Sequence, residues 1–248
     1  MTPIYRATHF LGFLLPTLAF FLAGQVAEAV EHRVGAFSDA NPGDALPAGW
    51  RVAKLPGVAA TTFSLTRLDG VTVVRMAATN AGASLYRPYR IDPGETPVLR
   101  WRWRIGGLIP DADLRAKAGD DVPARLYVMF DYPLEKLPFV ERTKIRLART
   151  VAGDLVPAAA LCYVWDGKLP EDTSLWNAYT DRVRVVVAES GPAGVGQWVN
   201  EQRDVAEDFR AAFGEEPPPI SGIAIAADTD QTGGAAQGWF GDISFSAR

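Results

Sequence analysis

Arg100, Arg102 and Arg104 alternate with apolar residues in the run Leu99–Ile105, and Asp120, Asp121 and Arg125 follow within one long loop and the start of the next strand. Successive side chains of a strand point to opposite faces, so the three guanidiniums share one face while Leu99, Trp101, Trp103 and Ile105 share the other. Guanidiniums aligned in this way repel one another unless acidic groups or a ligand lie close. Asp120, Asp121, Asp228 and Asp230 are the available acids. Together with Arg125 and Arg184 they could floor a concave sheet and hold sugar hydroxyls or a carboxylated ligand through paired hydrogen bonds. The alternative is a solvated outer face, where such pairs contribute little.

Asp228 and Asp230, at i and i+2 on a tight turn, with Thr232 nearby and Asp242 on the strand that follows, offer the oxygen ligands that calcium takes. The glutamate that completes an EF-hand is absent. Carboxylates capping the turn's own backbone amides are the competing reading. Seven tryptophans suit either sugar stacking or a sandwich core. Trp101 and Trp103 are expected in the core, and Trp165, Trp176 and Tyr179, in or beside the loop DGKLPEDTSLWNAY, are the candidates for exposed stacking.

Other chemistries fall away. The chain has two histidines: His9 lies in the leader described below and His32 close behind it. A serine or cysteine triad, or a histidine-rich metal site, therefore has almost nothing to use. The single cysteine, Cys162, cannot form an internal disulfide and reads as a small buried hydrophobe within AAALCYVW. Gly-x-Ser-x-Gly, His-Glu-x-x-His, the P-loop and the dinucleotide Gly-x-Gly-x-x-Gly are all missing. A glycosidase needs two carboxylates about 5 to 9.5 Å apart. Asp113, Asp120, Asp121, Glu171 and Asp228 could supply them, but no strand carries the alternating acids of laminarin-type hydrolases.

The elements that must position these residues read as strands. Thr61–Leu68 and Val71–Ala77 flank Asp69-Gly70, a two-residue hairpin signal. Further strands are expected at Trp50–Lys54, Ala83–Ile91, Arg125–Phe130, Ala158–Trp165, Arg182–Ser190, Ile220–Ala227 and Trp239–Ser246. Turns recur roughly every ten residues through the first half, the spacing of an all-β sandwich or barrel. Gly106–Pro123 exceeds the roughly 12 to 15 residues beyond which loops are usually functional or disordered. A helix is expected over NEQRDVAEDFRAAFGEE, with Asn200 as N-cap and Gly214 as C-cap. A second, short amphipathic helix fits Leu137–Val151, either with a solvated face or binding a membrane surface or an anionic ligand.

The N-terminus has the form of an export signal: Arg6, the apolar run Phe10–Ala23, and the small-x-small motif Ala27-Glu28-Ala29. Cleavage is expected after Ala29. The run is shorter than the roughly 20 residues of a spanning helix and contains Pro16, so no membrane span is expected to remain. Cleavage removes one basic residue, Arg6, and one acidic, Glu28, which leaves the net charge at −4. That balance argues against nucleic acid as a partner. With no internal repeat or linker, residues 30–248 are expected to form one domain.

LRWRWRI, the ADLRAKAGDD loop with ARLYVMFD, WVNEQRDVAEDFRAAFGEEPPPISGIAIAADTDQTG and the terminal WFGDISF together resemble the bacterial family known as domain of unknown function 3047, over roughly Phe37 to Phe245. The closing ADTD-x-T-G…W-x-GDI-x-F pattern is also similar to the last hairpin of jelly-roll carbohydrate-binding modules. That second resemblance implies glycan on a concave sheet and calcium between strands. The reading is therefore an all-β, jelly-roll sandwich with one C-terminal helix, exported to the periplasm or secreted. Its expected role is a non-catalytic envelope protein that binds a glycan or other polar ligand through Arg100, Arg102, Arg104, Asp120, Asp121, Arg125, Trp165 and Trp176, with calcium at Asp228, Asp230 and Asp242. The alternatives are a carboxylate-based polysaccharide hydrolase or lyase, and a structural envelope protein without a small ligand.

Overall fold

Strands dominate because apolar side chains recur with period two nearly everywhere between the turns. A computed structural model of the chain describes residues 1, 31–152 and 156–248. Apart from Met1, the expected leader lies outside the described residues. Among the described residues the strands are β1 (Glu31–Gly35), β2 (Arg51–Lys54), β3 (Thr62–Leu68), β4 (Val71–Thr79), β5 (Gly82–Ile91), β6 (Val98–Ile105), β7 (Arg125–Phe130), β8 (Ala160–Asp166), β9 (Ser174–Asn177), β10 (Thr180–Ser190), β11 (Val199–Asp204), β12 (Ile220–Asp228) and β13 (Ala235–Ser246). The helices are α1 (Phe139–Ala152) and α2 (Val205–Phe213).

The strands form two sheets. The first runs β11-β6-β13-β4-β3, with β1 also paired to β13, and the second runs β2-β5-β12-β7-β8-β10-β9. Leu99, Trp101, Trp103 and Ile105 of β6 meet Leu126, Val128 and Phe130 of β7, together with Ile223 and Ile225 of β12, in one core between the sheets. Trp103 is its centre, with ring centroids 5.4 Å from Trp101, 5.9 Å from Trp165 and 5.7 Å from Phe240. The fold is the expected all-β sandwich of jelly-roll type, and Trp101, Trp103 and Cys162 are buried as expected. The β3–β4 hairpin turns at Asp69-Gly70, where both residues take positive φ, 52° and 82°. That is the backbone an Asp-Gly pair adopts most readily in a two-residue turn.

One pairing was not anticipated, and two expectations are corrected. β8 and β10 pair in parallel, from Val183 opposite Ala160 to Ser190 opposite Asp166, and the chain between them adds β9 as the outer edge. Trp165, expected to be exposed, is fully buried, and its Nε1 donates to Gly191 O at 3.2 Å. Period two on β8 sends Leu161, Tyr163 and Trp165 together into the core. Asn200 does not cap a helix, because residues 199–204 continue sheet pairing against β6. The cap is Asp204, whose Oδ1 accepts from Ala206 N (3.1 Å) and Glu207 N (3.0 Å). Gly214 closes the helix in the left-handed conformation, as expected. α2 presses Phe209 onto Phe130, with ring centroids 4.5 Å apart.

Candidate functional site

Arg125 opens β7, and period two places it with Tyr127 and Met129 on the outer face of the second sheet, opposite Leu126 and Val128. Only 2% of Arg125 is exposed. A buried guanidinium needs partners for its charge and its donors. Nη2 donates to Asp228 Oδ1 and to Asp120 O, both at 2.9 Å, and Nη1 donates to the Tyr127 hydroxyl at 3.0 Å and Asp120 Oδ1 at 3.4 Å. Its Nε has no partner among the described residues. Asp120 Oδ2 accepts from Asn177 Nδ2 at 2.9 Å, and Asp228 Oδ1 also accepts from Val122 N at 3.1 Å.

The acids reach Arg125 because two loops are fastened together. Asp121, fully buried, accepts from Thr232 N and Thr232 Oγ1, both at 2.7 Å, and from Gln231 N at 3.3 Å. Within the first loop, Asp113 N donates to Gly119 O at 2.8 Å. A Cβ on Gly119 would stand 2.7 Å from Asp113 N, so this close approach requires glycine. The long loop 106–123 is thus an ordered support for Asp120 and Asp121.

These groups floor a cleft of about 400 Å³, with Tyr179, Asp230 and Gln231 on its walls. The Tyr179 hydroxyl lies 3.0 Å from both Lys117 O and Gln231 Oε1 and donates to one of them, and Lys117 Nζ sits 5.2 Å from the ring centroid. Burial pushes the Asp228 carboxyl up to about 7; Arg125 pulls the other way, while Asp120 and Asp121 add to the rise. Burial also drives the Tyr127 hydroxyl well above its ordinary value and pushes the neighbouring, fully buried Cys162 thiol up to about 12.

The charged floor expected from the sequence is divided between two opposite surfaces. β6 and β7 lie in different sheets that share one core, so their outward arginines point in opposite directions. Arg100, Arg102 and Arg104 line the outer face of the first sheet. Arg100 donates from Nε to Gln202 Oε1 (2.9 Å) and from Nη1 to Ser246 Oγ (2.5 Å). Arg102 lies over the Trp198 ring at 4.9 Å, while Arg104 pairs with Asp69 at 3.3 Å. A shallow groove of about 650 Å³ runs along Arg100 and Arg102. Arg184 belongs to neither surface group: its Nε donates to Ser174 Oγ at 2.6 Å. Trp176 is exposed but faces Phe213 of α2, at 5.5 Å, with Arg184 4.9 Å from its ring centroid, so the structure does not bring it to the cleft.

Asp228 and Asp230 do come together, but with Asp121 in place of Asp242; one oxygen from each lies within 4.8 Å of the others. Asp242 lies on the first sheet, where it accepts from Ser38 N (2.9 Å) and Ser38 Oγ (2.5 Å). The register shift between Phe240 and Ile243 sets it there. In the trio, both Asp121 oxygens are taken by the turn and Asp228 is bound by Arg125. Arg125 already supplies the positive charge, and this donor set fits a capped turn better than calcium. Asn177, Tyr127 and Gln231 were not legible as site residues, since an isolated amide or phenol carries no spacing signal.

A two-sheet sandwich with a polar cleft, floored by a buried arginine–aspartate network on one outer face, is the class of protein that these features define. The chain belongs to the family described as protein of unknown function (DUF3047), whose model matches residues 48–244. No curated protein matches it. Among solved structures it is similar to family 29 carbohydrate-binding modules. A CBM29-2 mutant complexed with mannohexaose shows 12% identity and a TM-score of 0.40, over 89% of this chain and 93% of that one. A second mutant, complexed with cellulohexaose, shows 11% identity and a TM-score of 0.38, over 88% and 91%.

Proposed function

We propose that this is a non-catalytic binding protein of the bacterial envelope, exported by the leader ending at Ala29 to the periplasm or the cell exterior. It takes a polyhydroxylated ligand, a glycan, in the cleft on the second sheet. The observation that carries this reading is the buried Arg125 holding Asp120 and Asp228 rigid at the cleft floor. Planar acceptors and donors fixed in this way match the paired hydroxyls of a sugar, because their orientation is set before binding. Asn177 and Gln231 add amides, and Tyr179, 53% exposed, offers an aromatic edge beside them. The acidic lining repels phosphate backbones, in keeping with the net charge.

A glycan array probed with the purified protein tests this. Retention on one glycan class, lost in Asn177→Ala and in Tyr179→Ala while the unfolding midpoint is unchanged, is the expected result. No retention above background on any glycan would sink the reading.

One observation favours a second reading. Asp228, raised to about 7 by burial, shares the cleft with Asp120 and Asp230, so an acid with a raised pKa lies beside further acids, as carboxylate-based hydrolysis needs. Release of reducing ends from the bound glycan, abolished in Asp228→Asn with binding retained, would make the protein a hydrolase.

A further inference from the structure

α1 is turned inside out for a surface helix. Phe139, Val140 and Leu147 are 73%, 60% and 68% exposed, whereas among its described side chains Ile145 is the one buried hydrophobe, packed with Leu137 and Ala158. At about 100° per residue, Phe139, Val140 and Leu147 fall within roughly a third of the helix circumference. Arg142, Arg146 and Arg149 run along one margin of that stripe and Lys144 along the other. Glu141 is the helix's one acid, and it is paired to Lys144 at 2.8 Å. The helix is therefore strongly cationic on a chain whose net charge is −4.

We propose that α1 docks this protein on an anionic phospholipid surface. In the docked state Phe139, Val140 and Leu147 enter the boundary between headgroups and acyl chains, and Lys144 and Arg146, the exposed cations of the two margins, meet lipid phosphates. An in-plane helix needs this combination of an apolar stripe with basic residues on its margins. A second copy of the same helix is disfavoured as the occupant, because it would bring like charges face to face. The 14 residues are too short to span a bilayer, and no helix among the described residues is long and apolar enough to do so. α1 also borders a cleft of about 440 Å³ that shares Tyr179 and Val183 with the proposed glycan cleft, so docking would hold that cleft beside the membrane.

Co-sedimentation of the full protein with vesicles tests the proposal. Phosphatidylglycerol–phosphatidylethanolamine vesicles should pellet it and phosphatidylcholine vesicles should not. Phe139→Ser with Leu147→Ser should lower apparent affinity roughly tenfold, and Lys144→Gln with Arg146→Gln by a similar factor that shrinks at high salt. All four side chains are exposed, so the unfolding midpoint should not move in either variant. Failure to pellet with anionic vesicles would overturn the proposal. So would equal binding by the serine variant, or a dimer that the serine variant dissociates while vesicle binding is absent. Glycan binding in solution is read separately and does not depend on this result.

Discussion

At the scale of single residues, burial of charge sets what can be tested. Replacing Arg125 with Met would leave Asp120 and Asp228 beside an apolar group with no cation between them. A loss of about 3 to 5 kcal/mol in urea unfolding is expected. Glu201, on β11, accepts from Trp103 Nε1 at 3.0 Å, and burial raises its pKa to about 7, with Glu189 and Glu171 adding to the rise. Because the folded pKa is the higher one, Glu201 contributes most below about pH 4.5, and that contribution is lost as the pH rises towards 7. Glu201→Gln should therefore match the parent at pH 4 and exceed it by about 1 to 2 kcal/mol at pH 8, a figure already reduced for partial exposure. Equal pH profiles for the two proteins would show that Glu201 titrates normally. Much at this scale was legible beforehand: the arginine–tryptophan alternation of β6 assigned each side chain to its face. The partners of those arginines were not legible, since period two gives the face of a strand but not the sheet to which it belongs.

At the scale of elements, Gly119 joins fold and site. A methyl group there would push against the backbone of Asp113 and displace the segment that carries Asp120 and Asp121. Gly119→Ala should lose about 1 to 3 kcal/mol and weaken glycan binding more than it weakens the core. Binding retained with the stability loss would separate the loop from the site. Local turn chemistry was readable here, as the Asp69-Gly70 hairpin and the Gly214 cap show. The Asn200 cap was misplaced because polar alternation in NEQRD fits an edge strand as well as a helix start, and the pairing with β6 decides between them. The parallel β8–β10 pair was equally hidden. β8 is a nearly continuous apolar run and β10 carries Val185–Ala188 as its apolar centre, patterns that do not reveal strand direction.

At the scale of the molecule, the sandwich presents two chemically distinct outer surfaces, one with an arginine-lined groove and one with an acidic cleft. The class of fold was legible from turn spacing, whereas this division arises from long-range strand order. β13 lies between β6 and β4 in the first sheet and also receives β1, with Glu31 opposite Ser246. A chain truncated before Ala235 should therefore lack near-ultraviolet circular dichroism and be degraded readily by protease. Native-like dichroism in that fragment would show that the second sheet folds without the first.

The position of β13 also acts as a clock. The strand at the middle of the first sheet is the last of the described strands in chain order, so that sheet lacks its central member until all the others have been made, and its closing contacts span almost the whole described chain. For a protein exported as proposed, the order of its strands would delay folding until the far side of the membrane has been reached.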